Sequence, residues 1–171
     1  MITTFWQRVD LSGRSLAPVA ITMLVILVNV VPTSLAGFDR VVPSLSMMAV
    51  YFWAIHRPDL LRPSAAFGLG LIEDILAGTP IGLSALTLIL VHWTVVTQRA
   101  FFLAGTFVAI WGSFGLIAFA IACLRWLLQS ILHLSLLPID VSLFQALLTV
   151  ALFPPVAWTF LRIQRSFLMR S

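Results

Sequence analysis

Two adjacent acids, Glu73 and Asp74, stand inside an otherwise apolar stretch, Phe67 to Ile75. A carboxylate in an apolar helix is costly unless it is paired, protonated or close to water. Asp74 also belongs to a run with four-residue spacing, Ala66, Gly70, Asp74 and Gly78, extended by Gly82. On a helix that spacing makes one face, bare of side chains except for a single carboxylate. Such a face can take a neighbouring helix at close range, with Asp74 accepting hydrogen bonds across the contact. Glu73 points about 100° away and need not share that role. Two uses remain open on these residues. Glu73 and Asp74, with His92 on a later helix, could form a proton or ligand site. Alternatively, Asp74 orders the Gly78–Gly82 turn or meets a partner.

The other polar residues in apolar stretches are single. Asn29 lies near the middle of the first apolar run and His92 in the fourth. Either could line a pathway, but a lone membrane Asn or His more often bonds across helices. Gly82-Leu83-Ser84 has the beginning of an intramembrane serine-protease motif. That chemistry needs a His on another helix within reach of the serine. His92 falls on the serine's own helix, two turns on and off its face, and His133 is expected outside the membrane. There is no His-Glu-x-x-His, no phosphate loop and no Gly-x-Ser-x-Gly. The expectation is therefore no catalytic residue, no cofactor and no metal. The single Cys123 excludes an intrachain disulfide and a multi-cysteine metal site.

The elements that hold these residues follow from composition. The 171 residues are 61% hydrophobic and 9% charged, more apolar surface than one soluble core of this size could hide. The solvent must be lipid. The expected fold is an all-α membrane protein, a bundle of about six transmembrane helices. Residues 1–15 form a cytoplasmic or interfacial segment, 16–161 the six-span domain and 162–171 a cytoplasmic tail. The first span is expected over 16–36, opened by Pro18. Arg8 and Arg14 before it, and Ser34-Leu35-Ala36 after, resemble a signal peptide, but the apolar run is longer than an ordinary signal core. The second and third stretches, 41–55 and 64–77, are short for spans and flank the turn His56–Pro63. A re-entrant hairpin would leave Arg57 and Arg62 at depth, at about 2.5–3.5 kcal/mol each, so two short spans with local thinning are favoured. The fourth span is expected over 83–97. The fifth runs over 100–124, with a small-residue stripe of Gly105, Ala109, Gly112 and Ser113, and continues as an amphipathic surface segment to Leu137. The sixth, 141–161, is expected to kink or break at Pro154-Pro155. Trp53, Trp93, Trp126 and Trp158 read as interface anchors or packing residues.

All ten basic residues are arginines. They are scattered singly, without the aromatic interleaving of a nucleic-acid surface, so no nucleic acid is expected. With the N-terminus inside, Arg8, Arg14, Arg57, Arg62, Arg99, Arg162, Arg165 and Arg170 fall in inner segments. Only Arg40 and Arg125 fall in outer ones. That bias predicts both termini in the cytoplasm.

Pro43, then Tyr51-Phe52-Trp53, an Arg-Pro turn and Gly70-x-x-x-Asp74-x-x-x-Gly78-x-x-x-Gly82 resemble the rod shape-determining protein MreD family. Pro154, Trp158 and an arginine-containing tail fit the same pattern. The resemblance implies a non-enzymatic subunit of the bacterial cell-elongation machinery in the inner membrane, active in rod-shape control and peptidoglycan synthesis. It implies direct association with MreC and, through it, links to MreB, RodA and an elongation-specific penicillin-binding transpeptidase. It also implies a layout similar to the substrate-binding subunits of energy-coupling-factor importers. On this reading Gly70, Asp74, Gly78, Gly82, Pro43, Tyr51, Trp53 and Pro154 are helix-packing or partner residues. Glu73 departs from the family pattern and keeps a proton-linked or ligand role open, with Asp74 and His92. The rival reading is a small-molecule-binding membrane subunit of an importer, or a small proton-coupled carrier.

Overall fold

Leu45–His56 carries apolar side chains on every face, and a helix of that kind must be enclosed, by protein or by lipid. In the computed structural model it is: every residue from Ser46 to Ile55 is buried. The structure describes residues 18–29, 42–100, 105–134 and 139–168, with side chains as far as Arg162. The expected N-terminal segment 1–15, residues 16–17 and 30–36 of the first span, the Gly37–Arg40 turn, residue 41 of the second stretch, residues 101–104 of the fifth span, residues 135–137 of the surface segment and the last three residues of the tail lie outside the described residues.

Six helices are present among the described residues, and no strand. They are α1 (Pro18–Asn29), α2 (Leu45–His56), α3 (Pro63–Ala77), α4 (Leu83–Thr97), α5 (Phe107–Leu132) and α6 (Ile139–Leu168). Helix α3 packs along α4 and α5 along α6, as two hairpins; α2 lies between them, against α4 and α6. Tyr51 at the middle of α2 ties that helix to the second hairpin. Its hydroxyl donates to the Ile110 carbonyl of α5 at 2.8 Å, and its ring meets Phe114 and Phe153 edge-on at 4.9 and 5.5 Å. Phe52 stacks on Phe160 of α6 at 5.4 Å, and Trp53 is buried beside it. Thus Tyr51 and Trp53 are core residues at the junction of three helices.

The outside of the bundle is also apolar. Trp93, Leu116 and Ile75 are each more than two-thirds exposed, and Phe144, Leu147 and Trp158 more than half. A surface of this kind fits a lipid surround. By length and composition α5 and residues Ile139–Arg162 of α6 are able to cross a membrane. Helices α2 to α4, at 12 to 15 residues, reach about 18–22 Å, less than the hydrocarbon thickness of about 30 Å.

Two helices, α5 and α6, differ from the sequence expectation. Helix α5 begins at Phe107 and runs unbroken to Leu132, so Arg125 belongs to a bundle helix and not to a separate surface segment. Of its expected stripe, Gly105 precedes the helix and Gly112 faces open space; Gly115 makes the close approach, to Val150 of α6. Helix α6 continues through Pro154 and Pro155, so of the expected kink or break there is no break. Pro154 has no N–H for the Val150 carbonyl one turn back. That carbonyl is taken by the Trp111 indole N–H of α5 at 2.9 Å. The freed group is thereby converted into a link between helices.

Candidate functional site: two carboxylates at one end of the bundle

Helix α3 ends at Gly78, whose φ of +67° is the left-handed conformation that glycine adopts without strain. A second left-handed glycine, Gly82 at φ +101°, caps the start of α4. Between them the chain reverses in three residues, Thr79, Pro80 and Ile81, and lays α4 back along α3. At the crossing, a Cβ on Gly70 would stand 2.6 Å from the Ala85 nitrogen, closer than real Cβ atoms approach backbone. The absence of a side chain at position 70 is what lets the two backbones touch.

The first N–H groups of α4 have no partner within their own helix. Asp74 supplies one from α3. It is fully buried; one carboxylate oxygen accepts from the Thr79 hydroxyl at 2.8 Å and the Ser84 N–H at 2.9 Å. The other accepts from the Gly82 N–H at 2.8 Å. The carboxylate also sits at the positive end of the α4 macrodipole. Both oxygens are occupied, so Asp74 stabilises the hairpin and has no lone pair facing a cavity. Gly70, Asp74, Gly78 and Gly82 therefore act together, on α4 of the same chain.

Glu73, one residue earlier, points elsewhere. Its side chain is 8% exposed, and one oxygen accepts from the Ser46 hydroxyl of α2 at 2.9 Å. The other oxygen, Oε2, is buried without a hydrogen-bond partner. Glu73 lines a cavity of about 320 Å³ at the end of the bundle where α1, α3 and α5 finish and α2, α4 and α6 begin. Asn29, Ser44, Arg125 and Gln145 line the same space. Gln145 Nε2 donates to the Val42 carbonyl at 2.7 Å, and Thr149 Oγ1 accepts from the Ser44 N–H at 3.1 Å. These bonds from α6 fix the entry to α2, next to Pro43.

His92 does not join the two acids. Its Nε2 lies 2.7 Å from the Leu61 carbonyl, in the turn between α2 and α3, toward the opposite end of the bundle. That end carries Arg57, Arg62, Arg99 and Arg162. Arg99 donates to the Ile55 carbonyl at 3.1 Å, and Arg162 lies over the Trp158 ring at 4.0 Å. Burial and the nearby Arg99 charge hold the His56 imidazole below its ordinary pKa, against the opposing effect of its bond to the Phe52 carbonyl. Ser84, the serine of the protease-like triplet, is buried in the first turn of α4 with its N–H on Asp74. Among the described residues no group of three His, Cys, Asp or Glu side chains could hold a metal.

A protein-family model, that of the rod shape-determining protein MreD, matches residues 12–163. The chain belongs to the MreD family. The match takes in α1 to α5 and most of α6, so the Asp74 hairpin and the Glu73 cavity both lie inside the MreD region. No curated protein and no solved structure matches the chain. Sequence reasoning missed three participants of this site: Ser46, Arg125 and Gln145. Their signal was depth. Ser46 and Gln145 lie near the outer ends of their expected spans and Arg125 just beyond the fifth, level with Glu73 once successive helices alternate in direction.

Proposed function

We propose that the protein is a non-enzymatic, multi-pass subunit of the bacterial cell-elongation machinery. It resides in the inner membrane with both termini cytoplasmic. It holds MreC directly and is linked to MreB, RodA and the elongation-specific penicillin-binding transpeptidase that build peptidoglycan during elongation. The observation that carries this reading is the MreD match over residues 12–163, which assigns a role in rod-shape determination. The apolar exterior supports a bilayer setting, and the cluster of Arg57, Arg62, Arg99 and Arg162 at one end supports a cytoplasmic placement of that end. Six helices are compatible with a layout like that of energy-coupling-factor substrate-binding subunits.

Helix α2 is enclosed and the Gly70 face of α3 is filled by α4. A partner's span therefore docks on outward faces of the bundle, where Trp93, Leu116 and Phe144 offer apolar surface. The test is a pull-down of the tagged full chain from solubilised bacterial membranes, with mass spectrometry of what accompanies it. Recovery of MreC and the elongation transpeptidase is expected. Recovery of paired ATPases and a coupling subunit would overturn the reading in favour of an importer subunit, for which the Glu73 cavity is the one supporting observation.

A further inference from the structure

The Glu73 cavity presents a specific chemical demand. Glu73 Oε2 and Asn29 Oδ1 are both buried acceptors without a donor. A buried acceptor left unpaired is costly, and more so when charged. Asp74 cannot relieve either, because its carboxylate only accepts, from Thr79, Gly82 and Ser84. Arg125 lines the same space and acts on Glu73 through its charge, yet the two form no ion pair among the described residues. At about 320 Å³ the space is roughly twenty times what one water requires, and at the small end of the range for ligand pockets.

The lining selects the ligand class. A bare metal cation would meet one carboxylate oxygen with a guanidinium facing it. A simple anion would suit Arg125 but would add negative charge next to Glu73 and leave both orphan acceptors unserved. A neutral apolar ligand would bury every one of these groups unpaired. A zwitterion answers all of them, with ammonium N–H groups toward the Glu73 and Asn29 wall of the cavity and an acid toward Arg125. We propose that this cavity binds the headgroup-sized zwitterion formed by a primary ammonium and a phosphate or carboxylate two carbons or fewer away. Two sources share that chemistry, the headgroup of phosphatidylethanolamine and a free solute such as phosphoethanolamine or glycine. The inference does not depend on which proteins the chain assembles with.

The test uses the full chain in nanodiscs. In the lipid arm, phosphatidylethanolamine is doped into phosphatidylcholine discs and retained lipid is read by native mass spectrometry. Phosphatidylcholine is the internal control, because its quaternary ammonium has no N–H to donate. In the solute arm, phosphoethanolamine and glycine are titrated calorimetrically into phosphatidylcholine discs. One arm is expected to give binding that falls roughly tenfold or more in Glu73→Gln and in Arg125→Gln. Glu73→Gln keeps an acceptor for Ser46, and Arg125→Lys keeps the charge and is expected to restore binding, so loss of fold is separable from loss of the site. Retention of phosphatidylethanolamine alone identifies a lipid site, and solute binding alone a soluble ligand. Binding in neither arm, or binding indifferent to both Glu73→Gln and Arg125→Gln, would overturn the proposal.

Discussion

The two helical hairpins solve the same problem by different means. Helices α3 and α4 approach until their backbones touch, because Gly70 has no side chain to keep Ala85 away, and the orphan N–H groups at the turn are satisfied by one carboxylate. Helices α5 and α6 are held by side chains: Phe114 stacks on Phe153 at 4.3 Å, Gly115 meets Val150, and Trp111 bonds the carbonyl that Pro154 leaves free. The first arrangement concentrates its stability in a few irreplaceable positions. The second spreads it over many contacts that can adjust to one another. Lipid offers no hydrophobic drive between helices, so close packing and hydrogen bonds must do in both places what water exclusion does in a soluble core.

This contrast can be broken at chosen points. The largest effect is expected from Asp74→Ala, which strands two buried backbone donors and a hydroxyl. A loss of about 3–5 kcal/mol should show in reversible unfolding in mixed micelles. Gly70→Ala comes next. Its Cβ must push α4 away from α3, costing about 1–3 kcal/mol on the same measurement, and Gly70→Leu should cost more. In the second hairpin, Trp111→Phe should cost only about 1–2 kcal/mol, by leaving the Val150 carbonyl unpaired. Combining it with Pro154→Ala sharpens the point. The restored N–H takes that carbonyl, so the double variant should be more stable than the two single effects predict by addition. The smallest effect is expected from Gly112→Ala, which faces open space on α5. It should be neutral or raise stability by up to about 1 kcal/mol through helix propensity. A Gly112→Ala loss as large as that of Gly70→Ala would remove the distinction between a packed and a free glycine.

The hairpin was the more legible of the two in sequence. Four-residue spacing from Gly70 to Gly82 marked one helix face and the turn, and residues 83–97 coincide with the fourth helix. The spacing did not reveal what occupies that face, because small residues suit a helix of the same chain and a partner's helix equally. The α5–α6 pair was harder to read. Pro154 announced a missing N–H, but nothing near it in sequence points to Trp111, 43 residues away, as the donor. The limits of α5 were misplaced for a related reason. Apolar residues run on past Ala100 without interruption, and in lipid a break in a helix needs no polar residue to mark it. At the site, Glu73 could be singled out as an acid in an apolar run. Its neighbours Ser46, Asn29, Arg125 and Gln145 come from four other helices, and only the folded arrangement assembles them.

Helix α2 has a consequence for how the protein is made. Synthesis delivers Leu45–His56 before α4, α5 and α6, the helices that later enclose it, have left the ribosome. The segment must therefore wait in the bilayer with every face bare. Its side chains are suited to that wait, since apolar groups meet lipid tails and helix neighbours on nearly equal terms. Ser46, Tyr51, Trp53 and His56 carry the polar groups of α2, and two of them acquire their partners only later, Tyr51 from Ile110 and Ser46 from Glu73. Assembly order is thus written into this helix as an absence of polar commitments that would come due too early.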